Sequence, residues 1–194
     1  MKNLYLVIGR SSSGKDSITA EVCKKLNKTK VLSYTTRPKR PNEENTHIFI
    51  KPEEVQNYKD NIIAYTKIGE FEYFATLSQL HENDFYVIDP KGLKYLKRKL
   101  KKTDIELKVI YIYAEQKIRA LRALQRGDSL EVFNKRTKNE NKQFTRFEKK
   151  LNRNKDVLVI YNHGDFDTAV DKVIKQVEYW EDITYIVNLS ISEY

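Results

Sequence analysis

Short runs of apolar residues alternate along the chain with longer segments in which apolar residues recur every three or four positions. The runs cover residues 4–8, 85–89, 107–114 and 157–162. Continuous apolar runs of this length are typical of strands that are buried on both faces of a parallel sheet. Helical spacing follows the first run and returns at about 91–101, 115–125, 129–152 and 165–179. The alternation predicts a three-layer α/β domain with a central parallel sheet.

Residues 33–83 interrupt this rhythm. They contain three short strand-like runs, at 47–50, 62–68 and 71–77, around a short helix that is predicted to begin at Pro52. We interpret 33–83 as a subdomain inserted into a core formed by residues 1–32 and 84–194. The tail, residues 183–191, is rich in residues that favour strands, so it is predicted to form an edge strand or a contact between subunits.

Length and composition indicate a single folded domain. A length of 194 residues suits a single domain, and 40% hydrophobic with 32% charged residues excludes collagen-like and disordered chains. The single cysteine, Cys23, cannot form an internal disulfide, and with three histidines it gives no zinc-ligand spacing. The apolar run at 4–8 is too short for a signal peptide or a membrane span. We therefore expect a cytoplasmic protein with no structural metal and no membrane association.

Positive charge dominates the surface. The chain has 36 Lys and Arg against 27 Asp and Glu, a net charge of +9, which suits an anionic partner. A dense basic run covers residues 94–102. We interpret it as a solvated helix face with Leu93, Leu96 and Leu100 turned inward, and a nucleic-acid groove is the alternative. Nucleic acid is not the expected partner, since no aromatic interleaving or known module accompanies the charge.

A phosphate-binding motif joins the first predicted strand to the first predicted helix. Residues 9–15, Gly-Arg-Ser-Ser-Ser-Gly-Lys, fit the first seven positions of G-x-x-x-x-G-K-[ST]. Small residues let backbone N–H groups converge on a phosphate, while the lysine supplies charge for the β- and γ-phosphate oxygens. The alternative is a Gly/Ser-rich turn with a chance lysine. The expected ATP-binding positions in the loop are Gly9, Ser11, Ser12, Ser13, Gly14 and Lys15.

The motif departs from the pattern directly after its lysine. The pattern has Ser or Thr there to bind Mg²⁺, whereas this chain has Asp16 followed by Ser17. A carboxylate holds Mg²⁺ directly or through water, although it also repels phosphate when no metal is present. We expect Asp16 and Ser17 to contribute to an ATP-bound Mg²⁺ site.

Residues 33–43, Ser33-Tyr-Thr-Thr-Arg37-Pro-Lys-Arg40-Pro-Asn-Glu43, resemble the Ser-x-Thr-Thr-Arg-x-x-Arg-x-Gly-Glu stretch of guanylate kinases. The resemblance implies that Ser33, Arg37 and Arg40 hold the phosphate of the nucleoside monophosphate. Two arginines three residues apart beside a hydroxyl also form a donor cluster that suits a dianionic phosphate. An ordinary basic sheet edge is the alternative.

The resemblance extends in order over about residues 4–178 and implies further substrate-binding positions. His47 falls where the family has a phosphate-binding tyrosine. Phe74 and Thr76 fall on the second aromatic and the hydroxyl of its Tyr-Tyr-Gly-Ser/Thr segment. Asp89 falls on its Asp-x-x-Gly turn, near the reacting phosphates or the substrate, and a plain helix cap is the alternative for it. Asn162 resembles the asparagine that ends the last strand beside the ATP base.

Three arginines resemble those of the family's lid, which covers about residues 119–140 here. The resemblance implies that Arg122, Arg126 and Arg136 close over the transferring phosphoryl group, where arginines stabilise the charge of the transition state. The interval from Arg126 to Arg136 is one residue shorter than in the family, and exposed helix arginines without a role in catalysis are the alternative.

Base recognition is where this sequence departs furthest from guanylate kinases. The family reads guanine with a glutamate, and Ala64 or Tyr65 stands at that place here. Glu70 or Glu72 takes over the role if the hairpin is re-registered. An unpaired guanine edge would cost about 1–3 kcal/mol, enough to relax or redirect base preference.

The resemblance implies a P-loop nucleoside-monophosphate kinase, with an inserted monophosphate-binding subdomain and a helical lid. It would transfer the γ-phosphoryl group of ATP to GMP or dGMP with Mg²⁺, as a monomer or a homodimer. Two alternatives remain: a kinase for other or several (deoxy)nucleoside monophosphates, and a binding module without catalysis. A binding module has no need for Lys15 and the arginines, so the first two readings are favoured.

Overall fold

The computed structural model describes residues 1–39, 43, 46–100, 103–151 and 157–192, the last four by their backbone only. The strands are β1 (Lys2–Ile8), β2 (Tyr34–Thr35), β3 (Ile48–Phe49), β4 (Ile62–Ile68), β5 (Phe71–Thr76), β6 (Phe85–Val87), β7 (Ile105–Tyr113) and β8 (Val157–Tyr161). The helices are α1 (Lys15–Lys25), α2 (Leu77–Glu82), α3 (Pro90–Lys99), α4 (Gln116–Gln125), α5 (Leu130–Leu151) and α6 (Phe166–Ser192). A 3-10 helix covers Pro52–Asn61.

The core is a parallel sheet with the strand order β6-β1-β7-β8. Alternate side chains of β1 enter two hydrophobic clusters. Leu6 packs on the side that holds α3 and α5, whereas Val7 packs on the side that holds α1 and α6. Full burial of such a side chain stabilises the fold by about 1.5–3 kcal/mol. The predicted three-layer α/β fold is confirmed.

A second sheet, of order β3-β2-β5-β4, is built from residues 34–76. Its antiparallel β4–β5 hairpin pairs Ala64 with Ala75 and Thr66 with Tyr73. Because side chains alternate along a strand, these four residues share one face of the hairpin. Tyr65 and its partner Phe74 lie on the other face. This register decides which side chains reach the cleft.

The prediction of a strand in the tail is wrong. Helix α6 continues without a break to Ser192. Its second half is held by β1 and the turn after α1: the Asn3 amide donates to the Thr184 hydroxyl at 2.9 Å, and Lys28 pairs with Glu181 at 2.6 Å. These contacts outweigh the β propensity of the tail, since propensity is a weak preference that tertiary contacts override.

Among the described residues, no helix is both long enough and apolar enough to cross a bilayer.

Candidate active site

The phosphate loop lies between the end of β1 and the start of α1. Gly14 has φ of +90°, a conformation that side chains disfavour, and a Cβ built there would lie 2.4 Å from the Asn162 amide nitrogen. Ser12 also has a positive φ, of 62°. Helix α1 begins at Lys15, so its free N–H groups and positive dipole end open onto the loop. The loop therefore has the geometry of an anion site.

Two side chains from outside the loop brace it. The Asn162 amide donates to the Ser13 carbonyl at 2.8 Å, and one Arg122 nitrogen donates to the same carbonyl at 3.2 Å. The other Arg122 nitrogen donates to the Asn162 side-chain oxygen. Asn162 is 1% exposed, so its side chain has no surface for the ATP-base contact that the resemblance implied. Asn162 positions the loop instead.

The loop is also tied to α5 through two glutamates. Arg10 forms a two-pronged ion pair with Glu148, with both N–O distances at 2.8 Å, and the Tyr111 hydroxyl donates to the same carboxylate. The backbone N–H and the hydroxyl of Ser11 donate to Glu140. Burial alone would raise the pKa of Glu148, but the bonds from Arg10 and Tyr111 outweigh it and the pKa is lowered.

Glu148→Gln should destabilise the fold by about 2 kcal/mol at neutral pH, because it leaves the poorly exposed Arg10 without its counter-charge. The pKa of Glu148 is lower in the folded chain than in the unfolded chain. The ionised carboxylate therefore stabilises the fold at any pH above the ordinary carboxyl pKa, and this stabilisation is lost as the pH falls through the folded pKa. The free energy of unfolding, measured by denaturation at neutral and acid pH, should show the difference from wild type narrowing in acid. The matched Glu131→Gln variant should differ little from wild type at either pH.

The first turn of α1 places Lys15 and Asp16 at the mouth of the loop. The Lys15 ammonium lies 3.0 Å from an Asp16 oxygen. Desolvation would raise the pKa of Asp16, but Lys15, together with Lys30 and His47, outweighs it, so the pKa is lowered and the carboxylate is charged at neutral pH.

Asp16 and the exposed Ser17 fit a metal that arrives with a nucleotide. The described residues contain no group of three or more His, Cys, Asp or Glu side chains that could hold a metal ion by themselves. Mg²⁺ is commonly bound through one or two protein oxygens together with substrate phosphates and water. The pair Asp16 and Ser17 is a donor set of that kind.

A second polar cluster lies on the small sheet. Arg37 is 8% exposed, forms a two-pronged pair with Glu43 at 2.7 and 2.9 Å, and lies over the Phe49 ring. The Ser33 hydroxyl lies 3.4 Å from the ring nitrogen Nδ1 of His47. Burial and the nearby Arg37 lower the pKa of His47, so this ring is neutral at pH 7. Arg40 lies outside the described residues.

Tyr73, rather than Phe74, faces this cluster. The Tyr73 ring lies 5.6 Å from the His47 ring, and its hydroxyl interacts with Arg37. Phe74 is fully buried and stacks on Tyr34 at 5.1 Å, so it has no surface for a substrate. No sequence signal marked Tyr73, because it faces the cluster through the pairing of Thr35 with Tyr73, which puts the two side chains on one face of the sheet.

Two further predicted substrate residues cap helices. The Thr76 side chain takes part in a capping box with Gln79 at the start of α2. One Asp89 oxygen accepts from the Gly92 N–H at 2.7 Å and caps α3, as the alternative reading held. The other Asp89 oxygen is buried without a partner among the described residues. Asp89 therefore keeps an acceptor free for a ligand.

The lid arginines divide into two groups. Arg122 contacts the loop, whereas Arg126 and Arg136 both pair with Asp128 between α4 and α5, Arg136 at 2.9 Å. Arg119, which the sequence reasoning missed, is 3% exposed and donates to the Ser11 carbonyl at 3.3 Å. Its signal was its position one helical turn before Arg122 on the same face of α4.

Asp16 at the mouth of the loop and His47 of the second cluster are near enough to interact electrostatically, so the loop and the cluster form one candidate cleft. A family sequence profile described as guanylate kinase matches residues 1–179. The chain belongs to the guanylate kinase family. It is therefore a phosphotransferase of the nucleoside-monophosphate kinase class.

One solved structure illustrates the shared fold. The crystal structure of guanylate kinase from Anaplasma phagocytophilum is 20% identical to this chain, with a TM-score of 0.63. The match covers 92% of this chain and 86% of the Anaplasma chain. Comparison with curated protein sequences gives no match.

The two positions that align with the guanine-reading glutamate of guanylate kinases hold no carboxylate. Ala64 and its ladder partner Ala75 are fully buried in the hydrophobic cluster that includes α3, and Tyr65 lies on the opposite face of the hairpin. Glu72 extends from the other face, where it accepts from the Tyr65 hydroxyl at 2.6 Å. Glu70 is exposed at the hairpin turn. Neither glutamate occupies the place of the guanine reader.

Proposed function

We propose that this protein transfers the γ-phosphoryl group of ATP to the phosphate of a nucleoside monophosphate, with GMP and dGMP as the first acceptors to test. The observation that carries the proposal is an anion-binding loop with Lys15 at its mouth, together with a second cluster, Ser33, Arg37, His47 and Tyr73, whose donors suit the phosphate of a second nucleotide. Two phosphate sites that face each other are what phosphoryl transfer requires.

On the donor side, the backbone N–H groups of the loop would hold the ATP phosphates, with Gly9 and Gly14 allowing the chain to turn. The N–H of Ser11 would first have to leave Glu140, and that of Ser13 the Arg10 carbonyl. Lys15 would exchange its contact with Asp16 for the β- and γ-phosphate oxygens, since its ammonium has no buried partner to leave. Mg²⁺ bound with ATP, held by Asp16 and Ser17, supplies charge neutralisation to the phosphates. Asn162 and Arg122 would keep the loop in shape.

On the acceptor side, Arg37 would bind the monophosphate with its guanidinium fixed by Glu43. Neutral His47 and the hydroxyls of Ser33 and Tyr73 would add hydrogen bonds without adding charge. The unpartnered oxygen of Asp89 would accept a hydrogen bond from the nucleoside. The acceptor phosphate itself attacks in line, so no side chain has to act as a covalent nucleophile.

The segment at about 119–140 would act as the lid. Arg119 and Arg122 already lie at the loop, whereas Asp128 holds Arg126 and Arg136 together away from it. Closure over both nucleotides would bring this pair to the transferring group and exclude water.

An ADP-release assay with ATP, Mg²⁺ and GMP tests the proposal. ADP should appear only when the monophosphate is present. Binding of GMP without ADP release would instead support a binding module without catalysis.

The lack of a carboxylate at Ala64 and Tyr65 favours a second candidate, a kinase that accepts several nucleoside monophosphates. We expect a weaker preference for GMP than in a guanylate kinase that has a glutamate to bind guanine. Each lost hydrogen bond to the base is worth roughly 1 kcal/mol, or several-fold in kcat/KM. The measurement is kcat/KM over a panel of ribo- and deoxynucleoside monophosphates.

Glu72→Gln and Glu70→Gln decide whether a glutamate has taken over base reading. Since the Glu72 carboxylate is bound by the Tyr65 hydroxyl and Glu70 is exposed at the turn, neither change should alter the ratio of kcat/KM for GMP to that for AMP. Tyr65→Phe, which removes the donor to Glu72 and leaves both carboxylates, is the control for local disturbance. A selective loss of GMP activity in either glutamine variant would show that the reader has moved.

A further inference from the structure

The excess positive charge of the chain resides on two helices. Helix α3 has five Lys and Arg and no carboxylate, and α5 has seven against three Glu. Twelve cations against three carboxylates give +9, which equals the net charge of the whole chain. Outside these two helices the basic and acidic residues are equal in number, so the net positive charge of the chain is concentrated on α3 and α5.

The carboxylates of α5 do not neutralise this charge at the surface. Glu140 is bound to Ser11 and Glu148 to Arg10, so both point toward the phosphate loop. Glu131 lies in the first turn of α5, before its first cation. Residues 133–151 thus present cations to solvent without a solvent-facing carboxylate among them.

These two helices form one surface. Helices α3 and α5 contact each other, and Leu96 and Phe144 belong to the same hydrophobic cluster on one side of the sheet. All five cations of α3 and six of the seven in α5 are exposed. None of these eleven forms an ion pair with a carboxylate of the described residues. We name α3 together with residues 133–151 the basic face.

The side chains of the basic face fit a phosphate backbone better than a membrane or a single strand. The exposed large hydrophobic residues of the described chain include none in α3 or in 133–151, so nothing is available to enter a bilayer. The Tyr95 ring is covered by Arg98 and Lys99, with the charged groups 5.2 and 5.9 Å from its centre, and no aromatic side chain is left open for base stacking.

We propose that the basic face binds the phosphate backbone of double-stranded nucleic acid, without reading its sequence. Cations that neutralise phosphates release condensed counterions, and this release drives sequence-independent binding. Apart from Arg136, no cation of this face has been placed in the candidate active site, so its binding function does not depend on the proposed kinase activity.

The test measures fluorescence anisotropy of a labelled DNA duplex of mixed sequence with the full chain at several salt concentrations. A face that contacts about four to six phosphates predicts that log K falls against log salt with a slope of about −4 to −5. The variant K94Q/R98Q/K142Q/R146Q should weaken binding more than about 10-fold and reduce the slope by about 3.

The matched control K24Q/K67Q/K172Q/K175Q removes four exposed cations elsewhere and gives the same net charge. It should bind nearly as wild type does, and thermal unfolding by circular dichroism should show that both variants are folded. Equal loss in both variants, or no salt-dependent binding by wild type, would overturn the proposal. Tighter binding to single-stranded DNA or to vesicles of anionic phospholipid than to the duplex would also overturn it.

Discussion

Lys15→Ala should lower kcat by at least about 10²-fold and leave the free energy of unfolding nearly unchanged. In the described part of the chain the ammonium pairs with one carboxylate, that of the exposed Asp16, so its removal opens no cavity in the core. In the proposed reaction the same ammonium neutralises charge on the moving phosphoryl group, and no other cation of the loop replaces it. The measurement is steady-state kcat with saturating ATP and acceptor, together with denaturant unfolding.

Lys24→Ala is the matched control, because this lysine is exposed in the same helix on the side away from the loop. It should retain the kcat of wild type. If Lys15→Ala turns over at nearly the wild-type rate, the phosphate-loop assignment is wrong.

Arg37→Ala should raise the KM for the monophosphate by about 10-fold or more and change the KM for ATP little, since Arg37 lies on the small sheet and not on the loop. The change also breaks the buried pair with Glu43 and so destabilises the fold. Arg37→Lys separates these effects, because it keeps the charge but loses the two-pronged geometry.

We expect Arg37→Lys to be folded and still defective in acceptor KM. Glu43→Gln tests how far the ion pair between Arg37 and Glu43 positions the guanidinium. It should raise the KM for the monophosphate less than Arg37→Ala does. An Arg37 variant that raised only the KM for ATP would place this residue on the donor side.

The sequence carried enough information for the layers of the fold and for the loop. Four continuous apolar runs marked β1, β6, β7 and β8, since burial on both faces leaves few polar positions. The loop was visible because its chemistry is carried by the backbone, which demands small residues at fixed spacing. Lys15 and Arg37 were predicted as site residues for the same reason: short motifs specify their local geometry.

Structural features that depend on contacts between distant parts of the chain could not be predicted from the sequence. The choice of Tyr73 over Phe74 depends on pairing between β2 and β5, and a shift of one residue exchanges the two faces. The helical tail depends on contacts with β1, and the bracing role of Asn162 depends on the approach of β8 to Gly14. Short elements such as β2 carry too few residues for a periodic signal.

Transfer of the γ-phosphoryl group is tested most directly by following labelled phosphate from [γ-³²P]ATP in the presence of Mg²⁺ and GMP. The proposal predicts that the label appears in GDP, and that Lys15→Ala abolishes its appearance. Label that remained in ATP, or that appeared only as inorganic phosphate at a rate independent of every monophosphate offered, would contradict a phosphotransfer role for this cleft.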